Sequence, residues 1–201
     1  MTPQTFIFIG RSGCGKGTQV GLLSEALKKL DSEREIFHLE TGAMFREFIK
    51  EENYTSTLSL GVYKTGGLQP AFLAVHIWSH VLIEKFKGIE HLFMDGICRT
   101  LPEVLVLDTA LRFYNRESAT VILLNVSKNW SLDRLHTRAK IEGRIDDIKN
   151  EDIEKRLSWF DTDVVPAIDH MKHSPLYQVL EINGEQTIEE VHAEILSKLS
   201  L

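Results

Sequence analysis

Five short β-rich runs, at 5–9, 36–39, 91–94, 120–126 and 177–182, punctuate the chain, and longer segments with helical spacing separate them. Strands joined through helices lie parallel, each crossover passing right-handed over a sheet face. The runs FIFI, HLFM and VILLNV are apolar at successive positions, as strands must be when helices cover both sides; YQVLEI is less so. The pattern predicts a three-layer α/β fold, a five-stranded parallel sheet with helices on both faces. No internal repeat, low-complexity tract or Pro/Gly/Ser-rich linker divides the 201 residues, so one domain spanning 1–201 is expected.

Bulk charge narrows the partners. A formal net charge of −6 provides no general basic field, which disfavours nucleic acid and anionic membrane surfaces. An anion must therefore be bound locally. Cys14 and Cys98 are too few for a disulfide framework and lack metal-ligand spacing, which points to a reducing compartment. The N-terminus MTPQTFIFIG has no basic leader, and no apolar run approaches bilayer length. A cytoplasmic, monomeric protein is the expectation.

The local anion site is spelled in FIFIGRSGCGKGTQV, residues 6–20. Gly10, Gly15 and Lys16 match G-x-x-x-x-G-K, between an apolar strand and a helix whose Leu22, Leu23, Ala26, Leu27 and Leu30 recur at helical spacing. Glycines let successive N–H groups point into one concavity, and the helix N-terminus adds partial positive charge there. Lys16 supplies a mobile full charge. The hydroxyl that usually follows the lysine is displaced one place, with Gly17 at that position and Thr18 after it. An unliganded strand-to-helix turn is the plain alternative, and lysine, strand and helix together weigh against it.

Further along come HLETGAMFR, GGLQP, DGICRT, EGRIDD and KRL, in that order. With the loop in GKGTQ form, the chain resembles the adenylate kinase family of nucleoside monophosphate kinases from end to end, in its short-lid form. The resemblance implies a P-loop fold with a helical NMP-binding insertion at 41–70 and a lid at 134–156. It implies that Gly13, Cys14, Gly15, Lys16, Gly17 and Thr18 cradle the phosphates of ATP. Arg134 would stack on the donor base, and Gly184 would touch the donor adenine through its backbone. Thr41 would meet the acceptor base and Arg46 its phosphate; Leu68 and Gln69 would meet the acceptor nucleoside, with Gly96, Arg99 and Glu103 completing that side. Arg138, Arg144 and Arg156 would clamp phosphates, and Lys16 and Arg99 would join them in catalysis. Asp95, through water, and Thr18 would serve Mg2+ bound with ATP.

The residue chemistry agrees: phosphoryl transfer asks for positioning and charge neutralisation, which a loop lysine, a magnesium ion and converging arginines offer. Asp146 and Asp147 read as ion-pair partners of the lid arginines, and His38 as an ordinary strand-end residue. The polar segments 41–68 and 138–152 read as insertions able to move.

Departures from the family pattern cluster on the acceptor side. Ala43 replaces an aspartate, Glu40 a serine, and Ile97 and Cys98 replace Phe-Pro. Ile97 removes an aromatic platform for a base and Cys98 frees the backbone. Glu103 stands where the family has glutamine, and a carboxylate that only accepts hydrogen bonds suits guanine's N–H donors. AMP is the expected acceptor, with GMP or dGMP its competitor. A non-catalytic nucleotide sensor and a P-loop kinase for a non-nucleotide metabolite are the other classes to be weighed.

Overall fold

The computed structural model describes residues 1–142 and 150–201. Its sheet contains β1 (Thr5–Gly10), β2 (Ile36–Glu40), β3 (His91–Asp95), β4 (Ala119–Asn125) and β5 (Tyr177–Asn183), all parallel, in the order β2-β3-β1-β4-β5. Each expected strand is present, with ends shifted by no more than a residue.

Alternation along β1 explains the two layers around it. Successive side chains of a strand point to opposite faces, and both faces are apolar here. Ile7 and Ile9 pack with Leu92, Met94, Val121 and Leu123 in one core cluster; Phe6 and Phe8 join Phe93, Ile122 and Leu124 in the other. The first layer is covered by α4 (Ala71–Lys85), α5 (Leu101–Phe113) and α8 (Val165–His173), which contribute Trp78, Leu107 and Met171 among others. The second is covered by α1 (Lys16–Leu30) and α9 (Ile188–Leu199), through Leu23, Leu27, Val191 and Ile195.

Between β2 and α4 the chain forms α2 (Thr41–Phe48) and α3 (Tyr54–Lys64). Asn53 starts α3 with a reciprocal cap: its side chain accepts from the Ser56 N–H at 2.8 Å, and Ser56 Oγ accepts from the Asn53 N–H at 3.1 Å. After β4 come α6 (Lys128–Glu142) and α7 (Asn150–Trp159), held together by buried Leu135, Ile153 and Leu157. A π-helical segment, Phe160–Val164, joins α7 to α8. Arg144, Asp146 and Asp147, and the central part of the 138–152 segment, lie outside the described residues. No helix among the described residues is long and apolar enough to cross a membrane.

Candidate active site

The strand order reverses at β1, and a cavity of about 640 Å³ opens beyond the carboxyl ends of β1, β2 and β3. Open parallel sheets bind ligands at such a switch point. The turn from β1 into α1 forms its floor. Gly13 there has φ 85°, and a Cβ on it would come within 3.1 Å of the Ser131 carbonyl oxygen. Gly15 caps α1 in the left-handed region at φ 93°, a conformation that glycine adopts without strain. Lys16 Nζ folds back to donate to the carbonyls of Gly10 at 2.9 Å and Arg11 at 3.2 Å, with the buried Cys14 Sγ 3.6 Å away. Gly17 and Thr18 also line the cavity, and Thr18 is exposed to it.

Two carboxylates stand side by side at the strand ends, since Glu40 is the register partner of Asp95. Burial pushes Asp95 above the usual carboxylate range; Lys16 opposes that shift and Glu40 reinforces it. A desolvated carboxylate beside a second one favours an approaching cation. Mg2+ keeps most of its waters and needs only one or two carboxylates, so Asp95 with the Thr18 hydroxyl fits it. Glu40 is also ion-paired, its Oε1 accepting from Arg46 at 2.9 Å.

The predicted residues fall into four groups. Gly13 to Thr18, Arg46, Gln69, Gly96, Arg99, Arg134, Arg138, Arg156 and Gly184 line the same cavity. Arg134 sits 5.2 Å over the Trp130 ring. Arg156 is buried at 8% exposure. Gln69 spends its amide internally, accepting from Ser59 Oγ and donating to the Ser59 carbonyl, both at 2.9 Å. Thr41 and Leu68 flank the cavity without lining it, and the buried Thr41 hydroxyl finds no partner among the described residues. Arg144 lies outside the described residues.

Glu103 belongs to neither the lining nor its rim. It is 2% exposed, and Thr100 Oγ1 donates to its carboxylate at 3.0 Å while accepting from its N–H at 3.4 Å. Burial pushes this carboxylate upward, and the Thr100 hydrogen bond and the Arg99 charge oppose that shift. Glu103 thus engages Thr100 at the start of α5 and does not line the cavity. Ile97 is equally interior: at 2% exposure it packs in the core, so the loss of an aromatic ring there is a core change, not a change in the cavity. Cys98 uses the freedom that proline would deny, adopting φ 58°. Burial pushes its thiol well up, which makes it an inert packing group.

Some lining residues were given no role from the motifs. His38, read as a strand-end residue, faces the cavity, as do Phe45, Tyr63 and Trp159. The Trp159 indole N–H donates to the Gly66 carbonyl at 3.2 Å, and the Arg99 guanidinium lies 5.7 Å from its ring. Nearby, Arg11 pairs with Asp161 at 2.5 Å and covers the Phe160 ring at 4.5 Å.

Known proteins give the same reading. The family model described as adenylate kinase matches residues 8–175. An adenylate kinase from Porphyromonas gingivalis is 32% identical over 190 residues, covering 94% of this chain and 92% of its own. One from Bacteroides fragilis is 30% identical over 189 residues, 94% of each chain, and one from Flavobacterium psychrophilum is 29% identical over 185 residues, 92% of each. A phosphate loop facing converging arginines, a family model spanning most of the sequence and relatives aligned almost throughout agree, and the chain belongs to the adenylate kinase family of phosphotransferases.

Proposed function

We propose that this nucleoside monophosphate kinase transfers the γ-phosphoryl group of ATP to AMP, yielding two ADP. The observation that carries the reading is that one cavity holds Lys16 and the phosphate loop together with Arg46, Arg99, Arg138 and Arg156. Such a set suits two phosphate-bearing ligands meeting end to end.

In this reading the 13–18 backbone binds the donor phosphates, and Lys16 exchanges the Gly10 and Arg11 carbonyls for them. Arg134 leaves Trp130 to stack on the donor base, near the Gly184 backbone. Arg46 and Arg99 orient the acceptor phosphate for in-line attack, while Arg138 and Arg156 neutralise the transferring group. Asp95, through water, and the Thr18 hydroxyl would hold Mg2+ bound with ATP, and the ion would supply positive charge to the transferring phosphates. No general base is required. The 41–70 insertion and helices α6 and α7 close over the acceptor and the donor, excluding water that would otherwise hydrolyse ATP.

Support for adenine comes from Thr41, whose orphaned buried hydroxyl is suited to a ligand hydrogen bond, and from the relatives, which are adenylate kinases. Glu103, the residue suited to guanine, is buried outside the cavity lining with its carboxylate accepting from Thr100 Oγ1. A coupled assay with Mg-ATP and a panel of nucleoside monophosphates tests the acceptor. AMP should give the highest kcat/KM; preference for GMP or dGMP overturns the acceptor, and ATP binding without transfer to any monophosphate indicates a sensor.

A further inference from the structure

Trp159 occupies a position that no phosphate-transfer motif marks. It is the last residue of α7, where the helix widens into the π-helical segment Phe160–Val164. Such widened turns redirect side chains and recur at functional sites. Here the indole reaches two groups distant in sequence, donating through Nε1–H to the Gly66 carbonyl and carrying the Arg99 guanidinium over its ring within cation–π range.

Gly66 is itself pressed against α7. It adopts φ 60°, and a Cβ at that position would collide with the Asp152 backbone carbonyl. The connection from α3 to α4 is therefore docked on α7 at two points, the Asp152 backbone and the Trp159 indole. Both of the polar partners of Trp159 lie on the acceptor side of the cavity, one in the segment that meets the nucleoside and one the arginine that meets its phosphate. The loop residues 13–18 are not among its partners.

We propose that Trp159 is a positioning and specificity residue for the acceptor: its indole fixes the 66–69 segment and Arg99 relative to each other and walls the acceptor half of the cavity. This role rests on the acceptor assignment made above. It sets affinity for the monophosphate independently of affinity for ATP.

Two variants separate the contacts. Trp159→Phe keeps a ring under Arg99 and loses the indole donor; Trp159→Leu loses both. Loss of one hydrogen bond should raise KM for AMP roughly 2- to 10-fold in Trp159→Phe, with KM for ATP changing less than about twofold. Trp159→Leu should raise KM for AMP a further 2- to 5-fold or so, through loss of the cation–π contact. Adding AMP to the wild type should also change tryptophan emission, and that change should vanish in Trp159→Phe, which retains Trp78 and Trp130. Melting curves report folding, and the Phe variant alone carries the test if the Leu variant does not fold. An unaltered KM for AMP, equal rises in both KM values, or an AMP-dependent emission change that survives in Trp159→Phe overturns the role. Absence of AMP turnover in the wild type overturns the acceptor assignment instead, and this role with it.

Discussion

Replacing Glu40 by glutamine should tighten acceptor binding. The carboxylate holds Arg46 at 2.9 Å, with the two side chains 42% and 32% exposed, and an acceptor phosphate must displace it to reach the guanidinium. Partly exposed pairs of this kind contribute about 0.2–1 kcal/mol, so their loss should lower KM for AMP about 1.4- to 5-fold. The neutral amide can still bond Arg46, which places the expected change toward the lower end. A second effect follows from position. Glu40 is the cross-strand neighbour of Asp95 and helps hold its carboxyl above the usual range, so in Glu40→Gln the acid limb of the kcat profile should move to lower pH. Steady-state rates at saturating Mg-ATP, with AMP varied between pH 5 and 8 in steps, measure both. Raising the salt concentration should narrow the KM difference, because the pair is partly screened already. A KM for AMP that rises in Glu40→Gln would refute the competition and show that the carboxylate contacts the acceptor directly.

Two further predictions concern stability. His91 is buried, with Nδ1 accepting from the Gln4 N–H at 3.0 Å and Nε2 3.6 Å from Asp31. Burial lowers its pKa, Asp31 opposes this, and Arg34 and Arg116 reinforce it. The unfolded chain then takes up a proton near pH 6.5 that the native protein refuses until lower pH, so stability falls as pH drops below about 6.5. Urea midpoints at neutral and mildly acidic pH should show this fall, and His91→Gln should flatten it; an equal slope in both proteins rejects the assignment. The second prediction concerns Asp108, a buried carboxylate that accepts from the Tyr177 hydroxyl at 2.5 Å and bonds His170 at 2.9 Å. Tyr177→Phe leaves one buried carboxylate oxygen unpartnered at a cost of about 1–3 kcal/mol. For a chain of this length that corresponds to a Tm lower by about 2–12 °C in calorimetry, and an unchanged Tm would contradict it.

What could be read beforehand follows from where each signal resides. Strand ends came out within a residue because the apolar runs and their flanking helices are local patterns, and the phosphate loop because its glycines are spaced by local backbone geometry. The burial of Glu103 had a local clue: Thr100-Leu101-Pro102-Glu103 spells a helix cap, and the carboxylate accepts from the capping Thr100 hydroxyl. Ile97 misled for a related reason, since the left-handed conformation at Cys98 sets which way the turn points its side chains. Trp159 had no local signature at all. Its partners lie 93 residues away at Gly66 and on a different strand end at Arg99, and only the packing of α7 brings them together. The same holds for Arg11 and Asp161, paired across 150 residues.

The central claim is that one cavity joins ATP to AMP. Incubating the protein with Mg-ATP and AMP and following the phosphorus NMR spectrum measures it directly. Two ADP should appear for each AMP consumed, the reverse reaction should start from ADP alone, and Lys16→Met should suppress both. Consumption of ATP with AMP unchanged, or efficient transfer only to a guanine monophosphate, would contradict it.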